Sequence, residues 1–493
     1  MKKIYILILS CFILSSFSEK SLAEQEPKGK NDEIEALKFE IQQMQKDIEE
    51  MRQNYETERK NQETKLEALQ EKVKDLIEAK SIEKDELRAE IAKALIEEKP
   101  SIQPSYLYSA RTGDSTFKPE GSGWASDSPT QKLMDISFDS LFTMGGSTAR
   151  ESGIDKLQGG AHDPKKKGFT TQNLELSLLG AVDPYLNAEA HLVFQINKDG
   201  ESKLEVEEAF LTTQSLPHGL QIKAGTYFTE FGRLNFQHPH TWSFMDQPII
   251  NTRMFGGDGL RGPGARLSWL TPLPWYSEFF LGAQNANGET AFSFLSKAGG
   301  AFSGHTIKAR DVRSLEDMLY STRWLNSFSL SDEVALNFGA SALFGPNATG
   351  NDNRTNIYGT DIYLKWKPLS NDRGFPFVAW QTELMKRDYE AGESKDSLDD
   401  WGLYSQFLWG FKRNWVWGIR YDLADGNGAL TDYLRDRRHR VSPNLTWYPT
   451  EFSKVRFQYN YDKAEHINDS DGDEHSVWLQ FEFMLGSHPK HKF

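Results

Sequence analysis

Apolar and polar side chains alternate along the last two-thirds of the chain, in short runs that recur about every 20 residues. Between Lys454 and Asp462, Val455, Phe457, Tyr459 and Tyr461 share one side, while Lys454, Arg456, Gln458, Asn460 and Asp462 share the other. Val477, Leu479, Phe481 and Phe483 oppose Trp478, Gln480 and Glu482 in the same way, and Trp415, Trp417, Ile419, Tyr421 and Leu423 oppose Arg420 and Asp422. A period of two is that of a strand with one apolar face. Sixteen such strands are predicted, over 134–145, 170–181, 187–198, 203–214, 220–231, 263–272, 276–286, 317–328, 333–344, 356–368, 376–388, 401–412, 414–424, 437–448, 453–463 and 475–486. A soluble β-sandwich also alternates, but an array of this size fits an all-β transmembrane barrel of antiparallel strands, in which closure pairs every backbone group.

The connections alternate as well. Tight turns such as Asp183-Pro184-Tyr185, Leu216-Pro217-His218-Gly219, Lys412-Arg413-Asn414 and Tyr448-Pro449-Thr450 exchange with longer stretches rich in Gly, Asn and Asp. Short periplasmic turns and long external loops are the asymmetry of outer-membrane barrels. An even strand count puts both barrel ends in the periplasm.

Upstream the pattern changes. Lys2 and Lys3, the apolar run Ile4 to Phe17, and Ser21-Leu22-Ala23 read as a signal peptide over 1–23. No stretch has the roughly 18 apolar residues of a membrane-spanning helix. Residues 24–100 carry 22 acidic and 15 basic side chains, too polar for a core. Ile34, Leu37, Ile41, Met44, Ile48, Met51 and Tyr55 nevertheless recur three and four apart, then Leu66, Leu69, Val73 and Leu76 after a phase slip. That is the seam of an N-terminal α-helical coiled coil, expected in the periplasm, with self-association as its consequence. Pro100 and Pro104 end it, residues 101–133 form a linker, and 134–493 the barrel. The only cysteine, Cys11, lies in the signal peptide, so the mature chain is expected to hold no disulfide.

Two segments carry a family likeness. Leu204-Glu205-Val206-Glu207-Glu208-Ala209-Phe210-Leu211, with the following strand from Leu220 through Gly225 to Phe231-Gly232, resembles paired strands of the phosphate-selective porin O and P group. Gln237-His238-Pro239-His240-Thr241-Trp242, Gly262-Pro263-Gly264 and Leu485-Gly486-Ser487-His488-Pro489 are similar to a little-characterised branch of these proteins described as zinc-regulated. The resemblance implies a 16-stranded outer-membrane porin, commonly a homotrimer, that passes small ions or nutrients.

In a passive pore, selectivity follows from width and lining charge. The connection from Gly232 to Gly262 is long and mixes apolar Trp242, Phe244, Ile249, Ile250 and Phe255 with Arg233, Asp246, Arg253, Asp258 and Arg261. Such a loop suits packing against the barrel wall, and these five charged residues are the predicted constriction. Strand alternation predicts a lumen lined by Glu189, Lys223, Arg266, Arg420, Arg456 and Glu482 among others, with acids (Asp135, Asp139, Glu175, Glu205, Glu207) gathered in the first four strands and arginines (Arg420, Arg438, Arg440, Arg456) in strands 13 to 15. Of the chain's net charge of −14, −9 falls on the barrel half, which argues against an anion pore. His238 and His240 could supply two ligands to a metal if an acid such as Asp246 or Asp258 converged on them. Lys165-Lys166-Lys167 in the first external loop could meet lipopolysaccharide phosphates, and Asp469 to Glu474 has calcium-like oxygen spacing but is shorter than a full calcium loop. No cofactor, nucleic acid or enzymatic Ser/His/acid cluster is expected. The function predicted is passive diffusion; the alternatives are a substrate-specific or zinc-linked channel, or a structural barrel that tethers the envelope through its coiled coil.

Overall fold

The structure is a computed structural model that describes residues 134–196, 200–427, 432–464 and 473–486. The predicted signal peptide, coiled coil, linker and most of 469–474 lie outside them.

Sixteen strands close into one antiparallel barrel. They are β1 (Asp135–Ser147), β2 (Gly168–Asp183), β3 (Leu186–Ile196), β4 (Ser202–Thr213), β5 (Leu220–Phe228), β6 (Arg261–Leu270), β7 (Tyr276–Asn285), β10 (Met318–Ser331), β11 (Val334–Pro346), β12 (Arg354–Trp366), β13 (Phe377–Ala391), β14 (Asp396–Lys412), β15 (Trp415–Gly426), β16 (Arg438–Thr450), β17 (Ser453–Ala464) and β18 (Glu474–Gly486). The two-residue strands β8 (Ala301–Phe302) and β9 (His305–Thr306) form a separate hairpin in the loop after β7. Each barrel strand pairs with its neighbour in sequence, and β1 pairs with β18 from Ser137 opposite Gly486 to Ser147 opposite Ser476. All sixteen predicted strands are present.

The barrel is inverted relative to a soluble protein. On β18, Phe481 and Phe483 are 43% and 42% exposed, whereas the alternating Gln480 and Glu482 are 2% and 3% exposed. On β13, Leu384 lies outside and Glu383 and Arg387 inside. An apolar outer belt around a polar interior is stable only with hydrocarbon outside. Near the short turns, Trp415 and Trp447 stack at 5.9 Å on neighbouring strands, suited to an interfacial aromatic girdle.

A second layer lies within the ring. The connection between β5 and β6 carries a short helix, α2 (Ile249–Phe255), with Ile250, Met254 and Phe255 fully buried. With Phe231 it joins an apolar cluster that includes Leu343, Ile357, Met385 and Tyr404 from the wall. Glycine makes room for it: a Cβ at Gly359 would stand 2.6 Å from the Phe231 ring, and one at Gly402 would stand 2.7 Å from Ile250. The charges of the lumen are therefore packed and paired at this level, not solvated in a wide aqueous pore.

Candidate functional site: a strapped lumen with a histidine–carboxylate cluster

The backbone of 240–249 crosses the interior as a strap, and its polar groups are satisfied by side chains from β15 to β17. Lys454 donates to the His240 carbonyl (2.9 Å), Arg456 to that of Trp242 (2.8 Å) and Asn444 to that of Ser243 (2.9 Å). Gln458 accepts from the Met245 amide (2.9 Å) and Asp422 from the Ile249 amide (3.2 Å). The predicted inward packing of this loop is the geometry found.

At the strap's centre is Asp246. Its carboxylate lies 2.7 Å from Arg420 and 2.9 Å from Arg440, and accepts from Gln458 and Asn460. Burial alone would raise its pKa, but the two guanidiniums outweigh it and hold the carboxyl at about 2. Arg438 and Arg440 also donate to the Leu157 carbonyl, which ends α1 (Glu151–Leu157) in the loop between β1 and β2. In the same loop Asp163 accepts from the Gly160 and Gln247 amides, and burial reinforced by Asp246 pushes its pKa up to about 6.

The remaining predicted constriction residues spread along the segment. Arg233 lies 4.2 Å from the Tyr363 ring, and its amide donates to Glu383. Arg253 donates to the carbonyls of Leu434, Arg435 and Asp436, and burial brings its pKa down to about 10. Arg261 donates to the Asp258 carbonyl and pairs with Glu205. Of the lumen set, Arg266 pairs with Glu230 (2.7 Å), as does Lys223 (3.1 Å), Lys454 pairs with Glu482 (2.5 Å), and Arg456 donates to Gln480. Glu189 is half-buried, in phase with His191 on β3. Arginines do concentrate on β15 to β17 and acids on β1 to β4. Closure at β1–β18 brings these arcs close together around the barrel, so acids and arginines lie on one side of the ring.

A second cluster faces the strap from β2 to β4. His238 stands in a nest of carboxylates: Nδ1 is 3.3 Å from Glu175 and 2.9 Å from Glu207, and Nε2 is 2.9 Å from Glu208. His191 Nδ1 lies 3.0 Å from Glu175, and His240 Nδ1 3.4 Å from its other oxygen. Burial would lower the pKa of His238, but Glu175 and Glu207 raise it well above the ordinary imidazole value; at His240, Glu175 outweighs burial and raises the pKa. The acids beside His238 and His240 are thus strand glutamates. Asp246, expected there, is held by arginines, and Asp258 lies nearer the loop's end.

Alternation missed Glu208. His191 opposes Glu208 while Leu192 opposes Val206, so Glu207 is the extra residue of a β-bulge and both glutamates turn inward. The signal was a Glu-Glu pair inside an alternating run. His162, 3.8 Å from Glu207, comes from the loop between β1 and β2, a contact that carries no local signature.

A closed barrel with an apolar exterior and a charged interior crossed by a folded loop defines a transmembrane β-barrel of the outer-membrane type. The chain belongs to the same family as an uncharacterised protein of Aquifex aeolicus (strain VF5), to which it is 32% identical over 394 residues, covering 73% of this chain and 80% of that one. No protein-family model matches it. Similar solved structures include the outer membrane channel DcaP of Acinetobacter baumannii (TM-score 0.46, 13% identity, 73% of this chain and 99% of that one). The anion-selective porin of Comamonas acidovorans (0.45, 9%, 72% and 98%) and OprB of Pseudomonas putida (0.45, 10%, 71% and 94%) are others. Scores of this size leave the fold to be read from the strand pairing itself.

Proposed function

We propose that the chain is an outer-membrane porin of Gram-negative type, a passive channel for small ions or nutrients whose throughput is set by the strap at 232–262. The observation that carries this is the fastening of the strap to the wall by charged and amide side chains. A loop held by polar contacts leaves a polar, hydratable boundary along which ions can pass. The lining mixes both signs, so the reading includes weak ion selectivity, and the resemblance to phosphate-selective porins is taken as ancestry, not as phosphate preference. A homotrimer oriented by the coiled coil is the assembly proposed, with lipopolysaccharide at the external rim. The test is single-channel recording in a planar bilayer across a KCl gradient. Discrete steps of low conductance that grow when 236–257 is replaced by a short Gly/Ser linker are expected. Silence from folded protein in both forms would move the weight to a closed structural barrel.

A further inference from the structure

We infer that the lumen binds one divalent transition-metal ion of the Zn(II) class, with Glu175, His191 and His238 as ligands and His240 within reach as a fourth. The three ligand atoms all lie within 4.8 Å of one another. Bonds of about 2.0–2.1 Å in a tetrahedron place donor atoms about 3.4 Å apart. The Glu175 carboxylate already stands 3.0, 3.3 and 3.4 Å from the Nδ1 atoms of His191, His238 and His240. Little movement is needed to admit an ion.

The surroundings of His238 point the same way. Glu207 Oε2 lies 2.9 Å from His238 Nδ1, with both atoms inaccessible to solvent, so a second buried carboxylate flanks the proposed ligand nitrogen. The outer shell fits as well. Glu208 lies 2.9 Å from the far nitrogen of His238 and is itself fixed by the Phe228 amide. A carboxylate behind an imidazole orients it and strengthens its ligand nitrogen. Imidazole with carboxylate selects zinc-like ions over magnesium or calcium, which prefer oxygen alone.

Glu175 and His191 belong to the wall and His238 to the strap, so the ion would clip the strap's first half to β2 and β3 while Asp246 latches its centre to β15 and β16. Any effect of the ion on conductance rests on the porin reading; the binding does not.

The experiment uses the untagged full-length chain, folded in detergent, stripped with chelator and titrated with Zn(II) by calorimetry at neutral pH. Co(II) absorption serves as a second readout. Saturable binding of one Zn(II) per chain and a tetrahedral Co(II) visible band are expected. H191Q/H238Q should abolish both, while H218Q, at an exposed turn, should leave them unchanged. Should the double variant lose the heat-modifiable band of a folded barrel, E208Q decides: affinity weaker by about tenfold or more supports the site, and unchanged affinity counts against it. Folded wild-type chain without saturable binding, or a folded double variant that binds as tightly, overturns the proposal whatever the conductance shows.

Discussion

The carboxylate of Asp246 lies 2.7 Å from the guanidinium of Arg420, a partner 174 residues away, and both are inaccessible to solvent. The pair joins the strap to the far end of the chain. Breaking one side of a buried ion pair leaves the other charge stranded, which costs about 3–5 kcal/mol. Asp246→Ala takes one partner from each of two arginines, which keep Asp422 (2.8 Å) and Asp462 (2.9 Å), so the cost should fall below that range while the strap loses its central anchor and should detach. We expect larger single-channel conductance and new protease cleavage between 236 and 256, with barrel strands still resistant. Unaltered conductance with intact protection would show that the apolar contacts of α2 suffice to hold the strap.

The same carboxylate gives a pH dependence. Its folded value of about 2 lies below the ordinary 3.8, so the unfolded or detached state takes up a proton first. The latch is then worth about 2 kcal/mol above pH 4, and this is lost as pH falls toward 2. Conductance recorded from pH 6 down to pH 2 should rise in that window for the wild type and stay flat for Asp246→Asn. A wild-type trace as flat as the variant's would remove Asp246 as the acid-sensitive group.

Leu384 is 46% exposed at the middle of β13. A charge at the lipid midplane of such a barrel costs about 2–4 kcal/mol. Leu384→Arg should lower the urea midpoint of unfolding in lipid vesicles accordingly, while Leu384→Ala changes it much less. In a soluble barrel the arginine would be tolerated, so equal midpoints would sink the membrane orientation.

Asp400 accepts from both Arg387 (2.6 Å) and Arg435 (2.9 Å) in a fully buried triad. Asp400→Ala leaves two buried cations facing each other, whereas Arg387→Met leaves Asp400 its second partner. The first should destabilise by about 3–5 kcal/mol and the second by less, read as urea midpoints on the same vesicles. The reverse order would mean that the Arg387 contact with the Phe302 ring, at 4.7 Å, matters more than the charge balance.

The strands were legible because each decision was local: Val455 against Arg456, or Phe481 against Glu482, reports its own face without knowledge of the partner strand. The strap was half legible. The apolar-charged mixture from Trp242 to Arg261 indicated wall packing, but the seats that receive it did not. Gly359 beneath Phe231 and Gly402 beneath Ile250 carry no signal of their own until the long-range register brings those side chains over them. Glu208 was lost for a different reason. One inserted residue reverses the phase of everything beyond it, and a bulge is set by pairing, not by composition.

The seam between β1 and β18 has a consequence for biogenesis. The first strand to be made cannot gain its second neighbour until the last has been delivered, so the ring has two bare edges throughout its assembly. Pairs of such high sequence separation form slowly and leave intermediates open to wrong partners. Loss of the final hairpin would therefore do more than shorten the wall: it would turn a molecule with no edge into one with two, a substrate for aggregation or for the proteases that clear unfinished chains.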